Sequence, residues 1–279
     1  MEYRLPKRTE ESNKSTYGRV LNIAGSDYMP GAAYLSSVAA LKIGCGYCFL
    51  CSTERVIDAV AAQTQNVVFV PQNKVGEFII KSDVIEIGCG LGTDTHAQKI
   101  FSKLLDNAYT HTPIILDADA LNILAQNEYD QIYDFTNKKF EKIVFTPHPK
   151  EAAKLLNTTT DKVVADIKGS ARKITEKFNC VTVLKTHNTY IYSPDEREYT
   201  NTTGNNSMAK AGSGDVLTGI IAGLIAQNMD IFEASCLGCY LHGLSGDIAK
   251  EKLTEYSVMA EDLISFIPEA VKKYLNSYI

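Results

Sequence analysis

Short apolar runs alternate with longer segments of helical periodicity from residue 18 to the end of the chain. The runs are rich in Val, Ile and Leu, which is typical of strands buried on both faces of a parallel sheet. The predicted strands are 20–25, 47–51, 67–70, 84–88, 113–117, 143–146, 180–185 and 189–192, the last two as a hairpin. The predicted helices include 32–43, 57–62, 97–105, 215–227, 231–250 and 257–275. This alternation predicts an α/β fold, a three-layer α/β/α arrangement around a mostly parallel central sheet.

Neither a repeat nor a linker rich in Pro, Gly or Ser divides the 279 residues, so we expect one domain over 1–279 with a polar lead-in at 1–13. A hydrophobic content of 45% is that of a globular protein, and the net charge of −5 provides no basic surplus for binding nucleic acid. The apolar runs are too short to span a membrane, and the polar first residues do not resemble a signal peptide. We therefore expect a cytoplasmic protein with no membrane partner.

The seven cysteines are an odd number, which favours reduced thiols over a disulfide framework. Cys45, Cys48 and Cys51 have metal-ligand spacing, but on a strand Cys48 points away from the other two. Cys236 and Cys239 fall within an apolar helical pattern. We interpret both groups as small buried hydrophobic residues, not as metal ligands.

Ligands of open α/β sheets gather beyond the carboxyl ends of the strands, and the turns at that edge carry polar and small residues. These turns are residues 25–33, 88–92, 117–122, 146–151, 185–189 and 203–210. His148 lies between two prolines at the end of a strand, and this rigid presentation favours a ligand contact over an ordinary surface position. Asp117 is expected to face the crevice, whereas Asp119 is expected to cap the next helix.

The stretch 209–219 combines small residues with one carboxylate, Asp215, at the start of an apolar helix. Glycines before a helix amino terminus let successive N–H groups converge on an anion. A carboxylate there opposes an anion unless it acts as a general base, and the alternative is a glycine-rich turn with an Asp cap.

Six motifs occur in a fixed order over residues 14 to 279. They are Lys14-Ser15-Thr16-Tyr17-Gly18, Ala24-Gly25-Ser26 with Met29-Pro30-Gly31-Ala32, Gly90-Leu91-Gly92, Leu116 to Asn122, Thr146 to Glu151, and Gly212 to Gly219. In this order the chain resembles the ADP/ATP-dependent NAD(P)H-hydrate dehydratase family of the ribokinase-like superfamily. The resemblance implies a stand-alone dehydratase domain that repairs the S epimer of hydrated NADH or NADPH, written NADHX or NADPHX. Such an enzyme phosphorylates the ring hydroxyl and then eliminates phosphate.

The resemblance also implies which residues do this. Asp215 is the catalytic base, and the expected contacts to the hydrate come from Ala32, Ala33, Gly90, Gly92, His148 and Asp215. The expected nucleotide contacts are Lys185, Thr186, His187, Asn188, Thr189, Asn205, Ala211, Gly212, Ser213 and Gly214. ADP or ATP is the implied cofactor and Mg²⁺ is expected with it, although no carboxylate cluster in the sequence identifies a metal site. The resemblance further implies a homo-oligomer, with a tetramer as one form.

Cys89 is a departure, because family members commonly have proline between the two glycines of this turn. Many relatives are fused to an amino-terminal epimerase domain, and from the length of 279 residues we expect only the dehydratase half here. Two alternatives remain open at this point. A small-molecule kinase of the same superfamily, acting on a hydroxymethylpyrimidine, a thiazole alcohol or a sugar, would use Asp215 in the same way. A non-catalytic nucleotide-binding protein is the second alternative, although binding alone favours a neutral residue at that position.

Overall fold

One mixed sheet organises the structure, a computed structural model that describes residues 3–107, 112–126, 129–136 and 140–277. Within these residues the sheet has nine strands in the order β3-β2-β1-β4-β5-β6-β7-β8-β9. They are β1 (Arg19–Ile23), β2 (Tyr47–Ser52), β3 (Val68–Pro71), β4 (Val84–Ile87), β5 (Ile114–Leu116), β6 (Ile143–Phe145), β7 (Val181–Leu184), β8 (Tyr190–Tyr192) and β9 (Glu198–Thr200). The strands from β3 to β7 are parallel, and β8 and β9 are added antiparallel. The predicted fold class, with a mostly parallel sheet and a hairpin after β7, is confirmed.

Helices cover both faces of the sheet. They are α1 (Pro30–Ile43), α2 (Glu54–Ala61), α3 (Val75–Lys81), α4 (Thr95–Asn107), α5 (Ala118–Gln126), α6 (Tyr129–Ile132), α7 (Pro149–Leu155), α8 (Thr160–Ala165), α9 (Ile167–Phe178), α10 (Ser213–Ala226), α11 (Ile231–Leu253) and α12 (Ala260–Asn276). Alternate strand residues divide between two cores: Ile85 and Ile87 pack with α4 and α5, whereas Val84 packs with α10 and α11. No helix in the described ranges has both the length and the apolar character that crossing a membrane requires.

Several elements were not predicted. The three residues of β9 are largely polar, and α3, α8 and α9 were absent from the predicted helices. Helix α2 starts at Glu54, before the predicted start, because the side chain of Thr53 accepts a hydrogen bond from the Val56 N–H and caps the helix.

The orientation predicted for the first cysteine group was wrong in one respect. Cys45 precedes β2 and lies in the same core as Cys48, while Cys51 lies in the opposite core. All seven cysteines are free and buried. The conclusion that the three do not converge on one ion is unaffected.

Helices α1 and α10 approach closely, and α10 starts at the carboxyl edge of the sheet, where Gly214 lies next to Lys185 and Asp117. A Cβ on Gly219 would lie 2.1 Å from the carbonyl oxygen of Ser36, and one on Gly223 would lie 2.6 Å from that of Ala40. Only glycine permits this contact. The neighbouring turns are also linked, since the Gly25 N–H donates to the Cys89 carbonyl and the Lys185 N–H to that of Pro147, each at 2.8 Å.

Candidate active site

The site is centred on Asp215, in the first turn of α10. Gly212 precedes the helix with φ of 91°, a left-handed conformation that favours glycine. The Ser213 N–H donates to the Lys210 carbonyl at 3.3 Å, and no side chain caps the helix, so the next N–H groups, those of Gly214 and Asp215, are available to an anion. Burial, reinforced by the nearby Asp117, raises the pKa of Asp215 to about 6. A carboxylate with this pKa is poised to accept a proton near neutral pH.

A buried ion pair lies beside this carboxylate. The Lys185 Nζ lies 2.7 Å from the Asp117 Oδ1, and the Thr218 hydroxyl donates to the Asp117 Oδ2 at 2.7 Å. Burial by itself would raise the pKa of Asp117, but the Lys185 charge and these hydrogen bonds hold it below its ordinary value. Burial would likewise lower the pKa of Lys185, and the Asp117 carboxylate raises it instead. The pair is therefore ionised, and its ammonium lies close to Gly214 at the anion-binding end of α10.

Cys89 lies between the two carboxylates. The flanking Gly88 and Gly90 have φ of 125° and 62°, which forms a tight turn after β4 and brings the thiol inward. Its Sγ is 3.9 Å from the Asp117 Oδ2, and burial raises the pKa of the thiol well above its ordinary range. Cys89 therefore stays protonated and can donate its S–H to Asp117 or Asp215.

In the described ranges, Cys89, Asp117 and Asp215 form the one group of three or more His, Cys, Asp or Glu side chains whose potential ligand atoms all lie within 4.8 Å of one another. The group does not fit a resident Mg²⁺, because a protonated thiol is a poor ligand for a hard cation and Lys185 already neutralises Asp117.

A cavity of about 690 Å³ opens at the amino terminus of α10, where Ser213 and Gly214 line it. Its walls are the hairpin tip between β7 and β8, the loop 203–211, the start of α10 and the middle of α11. Eight of the expected nucleotide contacts line it: Lys185, Thr186, His187, Thr189, Asn205, Ala211, Ser213 and Gly214. Gly212 shapes the turn behind the cavity, and Asn188 holds the hairpin tip, where its carbonyl accepts a hydrogen bond from the Thr186 hydroxyl.

Four of the expected contacts to the hydrate, Ala32, Ala33, Gly90 and Gly92, do not line this cavity and belong to the turns next to Cys89. Ala32 and Gly90 pack against each other, since a Cβ on Gly90 would lie 2.7 Å from that of Ala32. The Gly92 N–H donates to the Asp119 Oδ2 at 2.8 Å, which fixes the position of Gly92 relative to α5. Ala33 is fully buried and packs against Gly25, and its expected contact with the hydrate stays a prediction. The predicted cap role of Asp119 was wrong, because α5 already begins at Ala118.

His148 has a structural role as well as an exposed face. Its Nδ1 accepts hydrogen bonds from the Lys150 and Glu151 N–H groups at 3.2 Å each, which caps α7. Burial and the charge of Lys185 lower the pKa of His148, and burial raises the pKa of Glu151 to about 7. The ring is therefore neutral at neutral pH. Its side chain remains 47% exposed and lines the cavity, and the expected contact with the hydrate stays a prediction.

Other residues of the site were not predicted. Asn201, Thr203, His242 and Gly243 also line the cavity. A sequence signal for residues 242–247 was available, because they place a histidine and an aspartate in a largely apolar stretch of α11. Another cavity, of about 780 Å³, lies at the amino ends of β4 and β7 and includes none of the expected site residues.

Comparisons with known proteins agree with this geometry. The family model for NAD(P)H-hydrate dehydratase matches residues 20–269. An ADP-dependent (S)-NAD(P)H-hydrate dehydratase of Neisseria meningitidis is 38% identical over 88% of this chain and 81% of its own length. A bifunctional NAD(P)H-hydrate repair enzyme of Moorella thermoacetica is 37% identical over 96% of this chain, which spans about half (52%) of that relative.

The solved structure of the ADP/ATP-dependent NAD(P)H-hydrate dehydratase from Bacillus subtilis, co-crystallised with ATP and Mg²⁺, superposes with a TM-score of 0.85. The two are 29% identical, and the match covers 97% of this chain and 94% of the other. The fold, the order of the six motifs along the chain and these similarities agree, and the chain belongs to the NAD(P)H-hydrate dehydratase family.

Proposed function

We propose that this protein is an ADP- or ATP-dependent dehydratase that restores NADH or NADPH from the S epimer of the hydrated coenzyme. The observation that carries the proposal is the position of Asp215 in the first turn of α10, a helix that no side chain caps, where burial raises the pKa of the carboxylate to about 6. The preceding residue, Gly214, lines a nucleotide-sized cavity, and Cys89 of the turn 88–92 lies within 4.8 Å of the carboxylate, so two ligands can meet there.

In the first step Asp215 takes the proton of the ring hydroxyl, and the oxygen attacks the terminal phosphorus of the nucleotide. The bond from that phosphorus to the bridging oxygen breaks, and the shorter nucleotide leaves with the electron pair. Free N–H groups at the start of α10 and the Lys185 ammonium stabilise the negative charge on the transferring group.

In the second step the lone pair of the ring nitrogen expels phosphate from the neighbouring carbon. Loss of a proton from the next carbon restores the ring double bond. The sum of the two steps removes one water and hydrolyses one phosphoanhydride bond. A hydroxide would leave poorly, which is why the phosphoryl group is transferred first.

Mg²⁺ is proposed to enter with the nucleotide phosphates, as it does in many phosphoryl-transfer enzymes. The carboxylates near Asp215 do not form a separate cage for it, and the N–H groups and Lys185 supply the protein's own contacts to the phosphates. Assembly as a homo-oligomer, a cytoplasmic location and organisation as a single domain stay predictions, and size-exclusion chromatography with light scattering tests the first.

The test is to mix the protein with the hydrate of NADH and ADP or ATP, and to follow the absorbance of the reduced ring. We expect recovery of NADH that requires both protein and nucleotide, and release of one phosphate for each NADH formed. Phosphorylation of a vitamin precursor or a sugar, with no recovery of NADH, would show that the chain is a small-molecule kinase instead. Asp215→Ala should abolish turnover while it preserves binding of the nucleotide, which separates catalysis from binding alone.

A further inference from the structure

The middle of α11 contacts the loop 203–208, which forms one wall of the nucleotide cavity. The helix is apolar and buried at this point, and Asp247 is a half-buried carboxylate within it. The Asp247 Oδ2 accepts a hydrogen bond from the Gly204 N–H at 3.1 Å, and its Oδ1 accepts one from the Asn205 Nδ2 at 2.8 Å. Both carboxylate oxygens are thus used by consecutive residues of one loop.

Two glycines bring the loop against the helix. A Cβ on Gly243 would lie 2.3 Å from the Thr203 Oγ1, and a Cβ on Gly246 would lie 2.1 Å from the Met208 Sδ. The Thr203 hydroxyl also donates to the carbonyl of Tyr240 at 3.0 Å. Packing and hydrogen bonds therefore fix the loop on α11 along its length.

These contacts determine how the amide of Asn205 is oriented. Its Oδ1 accepts from the N–H and the hydroxyl of Ser207, at 3.0 and 2.6 Å, while one Nδ2 hydrogen is donated to Asp247. If the amide were flipped, its NH₂ group would face the Ser207 N–H, donor against donor, and its oxygen would face the Asp247 carboxylate, acceptor against acceptor. Only the observed orientation therefore gives each of these groups a hydrogen-bond partner. One Nδ2 hydrogen remains for a ligand in the cavity.

An unpaired carboxylate in this position would repel the phosphates of a nucleotide. Asp247 avoids this in part, because charge-assisted hydrogen bonds to two N–H donors of the loop satisfy its oxygens. The carboxylate thus costs some electrostatic attraction, and what it contributes in return is the conformation of the loop.

We propose that Asp247 is a positioning residue for the nucleotide, and that it acts by holding residues 204 and 205 so that the Asn205 amide can donate to a phosphate oxygen. The inference rests on the proposed function, in that the cavity is taken to bind ADP or ATP. It adds a role for the segment 242–247 in binding the nucleotide, beyond helix packing.

The test measures ADP binding by calorimetry, together with KM for nucleotide and for the hydrate, in Asp247→Ala, Asn205→Ala and the double variant. Asp247→Ala should weaken ADP binding roughly 10- to 100-fold, the usual effect of losing charged hydrogen bonds, with KM for the hydrate unchanged. Because Asp247 acts through Asn205, the loss of ADP affinity in the double variant should be smaller than the product of the losses in the two single variants. Asp247→Asn keeps one acceptor oxygen at the same size and should recover part of the affinity.

Glu251→Ala is the matched control, since Glu251 is exposed on the same helix. It should bind ADP as the wild type does. Wild-type ADP affinity in folded Asp247→Ala would overturn the proposal, and Asp247→Asn takes its place if the alanine variant does not fold. The proposal would also be overturned if the loss of ADP affinity in the double variant equalled the product of the two single-variant losses. A wild-type protein that binds ADP but leaves the hydrate unchanged would refute the proposed function alone, and absence of ADP binding in the wild type would refute both.

Discussion

Ionised Asp215 should lower the stability of the folded protein, although the enzyme needs this carboxylate for activity. Its pKa of about 6 in the folded protein lies above the ordinary value of 3.8, mainly because the carboxylate is buried. The unfolded chain therefore loses this proton near pH 4 and the folded protein near pH 6, so the folded state binds more protons between these values. Stability must fall as the pH rises through this window, by roughly 3 kcal/mol in total, and then stay level.

Asp215→Asn removes the ionisation and should remove this loss. At pH 7 we expect the variant to be more stable than the wild type by up to roughly 3 kcal/mol, or about 5–10 °C in the unfolding temperature. Below about pH 4 the two should unfold alike, because the wild-type carboxyl is then neutral in both states. Turnover should fall by roughly 10²- to 10⁴-fold, the usual contribution of a general base.

Urea and thermal unfolding from pH 4 to pH 7 measure the effect, with Asp58→Asn, an exposed carboxylate on α2, as the control. The wild-type activity should also decline below about pH 6, tenfold for each further pH unit. Stability curves of wild type and Asp215→Asn that run parallel across this range would refute the reasoning, because they would show that burial does not disfavour the charged carboxylate.

Three further predictions concern the surroundings of this residue. Lys185→Met should destabilise the protein by roughly 3–5 kcal/mol in urea unfolding, since it leaves the buried Asp117 unpaired, and Asp117→Asn in the same chain should recover part of the loss. Cys89→Ala should move the acid limb of the pH–rate profile upward, because the thiol hydrogen bond lowers the pKa of the catalytic carboxylate, and an unchanged limb would exclude such a bond. Gly219→Ala should cost roughly 1–3 kcal/mol because its Cβ meets a carbonyl of α1, whereas Gly76→Ala, with its nearest neighbour at 3.5 Å, should be neutral or stabilising in the same melts.

The layers of the fold and the edge that carries the site follow from local patterns. Apolar runs such as that of β5 have few alternatives to a buried strand, and the glycines before Asp215 mark a helix start. Short or polar elements could not be predicted in this way. Glu198–Thr200 is paired with β8 through backbone hydrogen bonds, to which its polar side chains give little clue.

The pairings within the site depend on tertiary structure. Lys185 and Asp117 are 68 residues apart, and only the order of strands in the sheet brings the ends of β5 and β7 to the same place. The glycines around Asp247 indicate close packing of α11, but the periodicity of this helix does not reveal which loop lies against it. Sequence patterns report which face of an element is buried, but not its partner.

The ion pair of Lys185 with Asp117 has a consequence for which anions the protein retains. A lysine that already has a counter-ion attracts free sulfate or phosphate from the cell less strongly than an isolated lysine would, because part of its field is cancelled. A nucleotide that also fills the cavity gains contacts that an inorganic anion lacks. By the same cancellation we expect the phosphate set free by the reaction to leave more readily, which would limit product inhibition.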